Sequence, residues 1–203
     1  MYENLTLYTE EDTTGVISET ATRVTGVNVL GNTDTYLYKL YPVDYFDALD
    51  VDFEVYTEDE AVKPYTVGAV GFSDALNDST GWAATEPWCG GQSRGSSVVW
   101  VRLIRGNNAA SDTYIGASAT PYYCTLTRVA GADGITALIY SDTARTDLLD
   151  TLVLAGLGTD KYKYAYGFVA DNQADANRQW NGYIQNIDLN IASPIRWDFF
   201  TWA

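Results

Sequence analysis

Apolar and polar residues alternate along this chain with a period of two. In LDVDFEVY, residues 49–56, Leu49, Val51, Phe53 and Val55 fall on one face, and Asp50, Asp52, Glu54 and Tyr56 on the other. That is the pattern of a half-buried strand with its apolar side on a core. SVVWVRLIR (97–105) is apolar on much of both faces, which predicts a central strand. TYLYKLY (35–41), VGAVGF (67–72) and KYAYGFVA (163–170) read as strands by their Tyr, Val and Phe content. So do YYCTLTR (122–128), ITALIYSD (135–142), DLLDTL (147–152) and GYIQNIDL (182–189). Turn residues punctuate them: Gly31-Asn32, Asn77-Asp78, Gly90-Gly91, Gly106-Asn107, Asp133-Gly134 and Asn181-Gly182. The pattern predicts about 11–14 strands. No long helix is expected, the best short candidate being one turn at Thr143-Ala144-Arg145-Thr146. CGGQSRGSS (89–97) reads as a flexible loop between strands.

Composition sharpens this picture. At 203 residues and 46% hydrophobic, the chain suits a single all-β domain. With 16 Tyr, 6 Trp and no His, it leans towards sheet. The missing His excludes Ser-His-Asp and Cys-His nucleophile systems and the common zinc sites. A net charge of −15 argues against nucleic acid and anionic membrane surfaces as partners, and accounts for solubility by like-charge repulsion. The opening MYENLTLYTEEDTTG has neither a basic region nor an apolar stretch, so no signal peptide is expected. No apolar run approaches the ~20 residues that span a bilayer. Of the two cysteines, Cys124 alternates with Tyr122 and Leu126 on the inward face, where a small buried thiol is expected rather than a disulfide.

The strand patterns of residues 122–189, with TRVTGVNV (22–29), YLYKLYPVDYF and DVDFEVY upstream, resemble the concanavalin A-like lectin/glucanase (laminin-G-like) jelly-roll domains. In particular they resemble the compact versions carried by tailed-phage structural proteins. The likeness covers residues 5–190. It implies an all-β, antiparallel two-sheet sandwich over residues 1–190, followed by a tail, 191–203. A structural or decoration protein of a virus particle, located in the virion after assembly in a host cytoplasm, is the first expectation. A carbohydrate-binding lectin-like module is the second.

Four groups could carry chemistry. The row Asp50, Asp52, Glu54 is similar to the catalytic carboxylates of the glucanases, with Asp52 at the middle aspartate and Glu54 at the acid/base. Asp50 stands where a nucleophilic glutamate belongs, a departure that keeps a glycoside hydrolase third among the readings. Polar-out alternation alone also explains these acids. Acidic loops offer oxygen ligands to calcium: Glu10-Glu11-Asp12, Asp74 with Asn77-Asp78, and above all Asp171, Asn172, Asp175 and Asn177. Ordinary turn chemistry favours the same residues, and no cofactor is required. Trp82, Trp88 and Trp180 sit in loop-like contexts where a ring could stack on a glycan or simply pack in the core. The tail carries Trp197, Phe199, Phe200 and Trp202, too apolar for solvent, and is expected to dock on its own domain or on a neighbouring subunit.

Overall fold

The structure is a computed structural model; it describes residues 1–12, 14–31, 34–58, 67–76, 81–94, 97–106, 109–170 and 175–190, with the side chains of 175–178 excepted. Among the described residues there are fourteen strands and one three-residue 3-10 turn, Leu5–Leu7. In chain order they are β1 (Thr9–Asp12), β2 (Ile17–Glu19), β3 (Arg23–Gly31), β4 (Thr35–Leu40), β5 (Leu49–Thr57), β6 (Val67–Ser73) and β7 (Pro87–Ser93). They continue as β8 (Val98–Arg105), β9 (Ala110–Ala117), β10 (Pro121–Arg128), β11 (Ile135–Tyr140), β12 (Leu148–Leu154), β13 (Tyr164–Ala170) and β14 (Asp175–Asp188). The strands make two seven-stranded sheets: β1-β4-β13-β6-β7-β8-β9 and β12-β11-β10-β5-β14-β3-β2. Every pairing between named strands is antiparallel. This is the jelly-roll sandwich that the strand patterns imply. No helix of the described residues is long and apolar enough to cross a membrane.

The core lies between the sheets. Alternation delivers Val51, Phe53 and Val55 from β5 and Cys124 and Leu126 from β10 to meet Val70, Phe72, Cys89, Leu103 and Phe168 of the opposing sheet. Each such fully buried apolar side chain contributes about 1.5–3 kcal/mol. A second cluster covers the outer face of the first sheet, where Trp82 folds over Trp88, Tyr166, Val67 and Ile104. That cover explains why β8 is apolar on both faces although it stands one strand in from the sheet edge, not at its centre.

Two expected punctuation marks have other uses. Gly90 and Gly91 lie inside the buried strand β7, so the flexible loop is shorter than CGGQSRGSS. A Cβ on Gly90 would meet the Gly68 carbonyl oxygen at 2.1 Å, and one on Gly91 would meet Thr57 Oγ1 at 2.3 Å. These glycines serve close packing rather than a turn. Asn181-Gly182 lies within β14 at a shift of register, where Gly182 passes close to the Tyr56 carbonyl. Residues 143–146 form a turn and not a helix. Asp142 accepts from the Thr146 amide at 2.9 Å and the Asp147 amide at 2.9 Å, and Arg145 takes φ +54°, which helical backbone cannot.

Candidate functional site on the outer face of the second sheet

The acids of β5 point away from the core, and register assembles their neighbours. Glu54 is paired with Gln185 of β14 on one side and Tyr123 of β10 on the other. Gln185 pairs in turn with Arg23 of β3, and Tyr123 with Tyr140 of β11. One cross-strand row therefore reads Arg23, Gln185, Glu54, Tyr123, Tyr140. In the next row Tyr56 pairs with Tyr183.

These side chains form a bonded network. The Tyr183 hydroxyl donates to Glu54 Oε1 at 3.0 Å, and Gln185 Nε2 donates to Glu54 Oε2 at 2.8 Å. Arg23 Nε donates to Gln185 Oε1 at 2.6 Å, and its guanidinium lies 4.2 Å from the Tyr183 ring centroid. The Tyr183 and Tyr56 rings are stacked, centroids 4.9 Å apart and planes 8° from parallel. Burial, with the Glu54 carboxylate beside it, pushes the Tyr183 hydroxyl up to about 12, so it remains a donor throughout the ordinary pH range. Tyr56, Tyr123, Tyr183 and Gln185 are half-buried, leaving part of each side chain open to solvent.

The turn between β11 and β12 closes one side of the face. Arg145 reaches from it to Asp52, with Nε 3.2 Å from Oδ1, and donates to the Phe53 carbonyl. Thr125 of β10 also donates to Asp52 Oδ1, at 2.5 Å. Beneath this turn lies a cavity of about 60 Å³ lined by Tyr2, Glu54, Tyr123, Thr143, Arg145 and Asn186. It can hold water but not a sugar ring.

The glucanase-like row divides under this geometry. Asp50 is exposed, as polar-out alternation requires, whereas Glu54 is only 6% exposed and both of its oxygens are held by donors. Glu54 thus orients Tyr183 and Gln185. The sequence marked the three acids but not Arg23, Tyr56, Tyr123, Arg145, Tyr183 or Gln185. No spacing rule links residues so far apart in the chain; only the strand register brings them together.

The tryptophan expectation is corrected. Trp82 is 4% exposed and Trp88 and Trp180 are fully buried, so none offers a free ring face to a glycan. Trp180 lies against Gly26, Gly68 and Gly182, whose missing side chains leave room for the indole, and donates to Thr57 Oγ1 at 3.2 Å. Trp88 Nε1 donates to the Gly106 carbonyl at 2.9 Å. Trp82 packs 5.0 Å from the Tyr166 ring.

Of the calcium candidates, Asp171 and Asn172 lie outside the described residues, and Asp175 and Asn177 are placed in β14 by backbone only. Asp12 serves its own turn, accepting from the Thr14 and Ile17 amides. Asp74 lies 3.5 Å from Lys163 Nζ, and Asn77-Asp78 are outside the described residues. Among the described residues no group of three or more His, Cys, Asp or Glu could hold a metal ion. Trp197, Phe199, Phe200 and Trp202 lie outside the described residues as well.

No family model and no curated protein matches the chain. Solved structures do. The exoplasmic/lumenal domain of VIP36, in its Ca2+/Man2-bound form, is 8% identical with a TM-score of 0.51, over 94% of this chain and 84% of that one. Peanut lectin with a 9mer peptide is 8% identical with a TM-score of 0.47, over 87% and 91%. The CBM2 module of the evolved Dit of Lactobacillus casei BL23 phage J-1 is 8% identical with a TM-score of 0.45, over 92% and 81%. At such identity the likeness to VIP36 supports the jelly-roll sandwich fold and nothing finer, and the two structures with TM-scores under 0.5 carry no argument.

Proposed function

We propose that the protein is a non-enzymatic saccharide-binding module whose ligand lies across the outer face of the second sheet. The observation that carries this reading is the half-exposed Tyr56 ring, backed by Tyr183, beside the Glu54–Gln185–Arg23 network. The C–H face of a pyranose is apolar and packs on an aromatic ring, while its hydroxyls need donors and acceptors fixed at the rim. The network holds Tyr183 and Gln185 in place before any ligand arrives, which lowers the ordering cost of binding. The face mixes Asp50, Asp52 and Glu54 with Arg23 and Arg145 on a chain of net charge −15, so a neutral sugar fits better than an acidic one. The tied carboxylate of Glu54 favours binding over glycosidic hydrolysis, since a general acid must reach the leaving oxygen.

The particle-surface role joins this reading through the aromatic tail. Trp197, Phe199, Phe200 and Trp202 are suited to anchoring the module to a neighbouring virion subunit or to its own copies, leaving the second sheet free to meet surface glycans.

A neutral-glycan array followed by calorimetry on the best ligand tests the proposal. Tyr56→Ala and Tyr183→Ala should each weaken binding at least ten-fold with an unchanged circular dichroism spectrum, while a chain ending at Asn190 should bind as well as the full chain. Failure to bind any neutral glycan sinks the reading. Hydrolysis of a β-glucan that Glu54→Gln abolishes would replace it with an enzyme.

A further inference from the structure

Two grooves meet where β14 ends. One, of about 400 Å³, is lined by Phe46, Leu49, Val51 and Ala130 together with the acids Asp47 and Asp50. The other, of about 580 Å³, has Tyr2, Glu3, Lys39 and Tyr41 in its walls. Tyr45, Leu189 and Asn190 line both. Tyr45 stacks on Tyr41 with ring centroids 4.9 Å apart and meets Phe46 edge-on at 5.0 Å, so a fixed aromatic knot stands where the grooves join. Even so, Tyr45 is 39% exposed, and Val43 and Val129, beside the lining residues in the chain, are more exposed still. The Gly131 amide donates to Asp47 Oδ1 at 2.9 Å, which holds the turn of Val129 and Ala130 against the smaller groove. Open apolar surface of this kind marks a contact site.

The chain itself leads into the grooves. Asp188 of β14 pairs with Asp52 of β5; two residues further along each strand direction come Asn190 and Asp50, and both line the smaller groove. Asn190 takes φ +45° and its amide is held by Asp188 Oδ1 at 3.0 Å, so the backbone turns at the groove instead of continuing the strand. The sequence then runs IASPIRWDFFTWA, residues 191–203. Its apolar side chains are Ile191, Ile195, Trp197, Phe199, Phe200 and Trp202, and its basic residue is Arg196. At ~3.3–3.6 Å per residue, Trp197 can reach about 25 Å from Asn190. That is several times the ~4.8 Å between neighbouring strands such as β14 and β5.

We propose that these grooves are the docking site for the chain's own tail, with the aromatic side chains of residues 197–202 packed around Tyr45 and Arg196 set beside Asp50. Charge fits this occupant. Asp47 has Lys161 Nζ 3.6 Å away, whereas the exposed Asp50 has no partner among the described residues, and Arg196 supplies one. A short tether keeps the tail at an effective concentration in the millimolar range, so even a weak contact holds it docked. The inference goes beyond the saccharide reading and is independent of it, since Arg23, Glu54, Tyr56, Tyr183 and Gln185 line neither groove. Anchoring to a neighbouring subunit then begins with release of the tail from this site.

The test compares four chains: the full chain, one ending at Asn190, Arg196→Glu, and Arg196→Glu with Asp50→Lys. Light scattering should find all four monomeric. Amide exchange over residues 43–50 should be about ten-fold faster without the tail, with the Tyr45 ring signals shifted in NMR spectra. Arg196→Glu should speed it about three-fold, and adding Asp50→Lys should restore the full-chain rate. The ring signals of Tyr56 and Tyr183 should stay in place and glycan binding should be the same in all four, so either proposal can fail without the other. If the shortened chain does not fold, the charge-swap pair still decides. Exchange over residues 43–50 that ignores the tail overturns the proposal, as does a charge swap that fails to rescue. A full-chain dimer that dissociates when the tail is removed overturns it too, by placing the tail on a second copy.

Discussion

At the scale of single residues, the tryptophans show how sequence context can mislead. Trp180 precedes Asn181-Gly182, a pair that reads as a turn, and Trp82 follows Gly81. Both are core residues because glycines elsewhere in the chain make room for them. Gly68 is the sharpest case: a Cβ there would stand 2.6 Å from both Cε2 and Cζ2 of Trp180. The indole cannot yield, since Phe168 packs 5.4 Å from it and its own Nε1 is bonded to Thr57. Gly68→Ala should therefore cost about 1–3 kcal/mol, the usual penalty for overpacking a filled core. Urea denaturation would show the midpoint falling with little change in slope. A neutral outcome would mean that Trp180 is not held where the structure places it. Nothing near Gly68 in the sequence announces this role, because the partner is more than a hundred residues away.

At the scale of elements, most strands were legible and most of their joints were not. β5, β10 and β11 follow the alternation of their residues closely, because one face of each meets the core and the other is polar or half-exposed. The joints depend on side-chain to backbone bonds that local composition does not specify. Arg128, at the end of β10, is only 3% exposed and donates to the carbonyls of Ala132 at 2.9 Å, Asp160 at 2.6 Å and Gly158 at 3.1 Å. Asp133 accepts from the Gly156 amide at 3.0 Å and the Gly158 amide at 2.7 Å, tying the same two connections from the other side. Asp142 plays the matching part in the turn that carries Arg145. Backbone amides at Asp133, and backbone and Thr146 donors at Asp142, hold both carboxyls below the ordinary 3.8. A carboxylate whose folded value is lowered contributes stability that is fully present above the unfolded value and lost as pH falls through the folded one. Both joints should thus be intact above about pH 4 and loosen only in stronger acid. Carboxyl NMR titration should place both midpoints below 3.8, with faster amide exchange at Gly156 and Gly158 as Asp133 protonates. A midpoint at or above that value for either residue would remove it as a joint.

At the scale of the whole molecule, charge and the binding face have to be reconciled. A chain with 27 acidic and 12 basic residues carries a net −15, and long-range attraction to an anionic partner is not available to it. The proposed face works at short range, through the Tyr56–Tyr183 stack and groups already bonded to one another. Such contacts do not depend on ion pairs with the ligand. Saccharide binding should therefore be nearly indifferent to salt: a ten-fold rise in ionic strength, which shortens the Debye length from ~14 Å to ~4 Å, should change Kd by less than about two-fold. Removal of divalent ions by EDTA should also leave Kd unchanged, because the network is complete from protein groups alone. Calorimetry of one ligand under the three conditions distinguishes the alternatives. Weakening by salt would point to a charged ligand and to Arg23 or Arg145 as its direct partner. Weakening by EDTA, reversed by calcium, would move the site to the acidic stretch of Asp171, Asn172, Asp175 and Asn177. Only the flat response is consistent with a neutral sugar held by stacked tyrosines on the outer face of the second sheet.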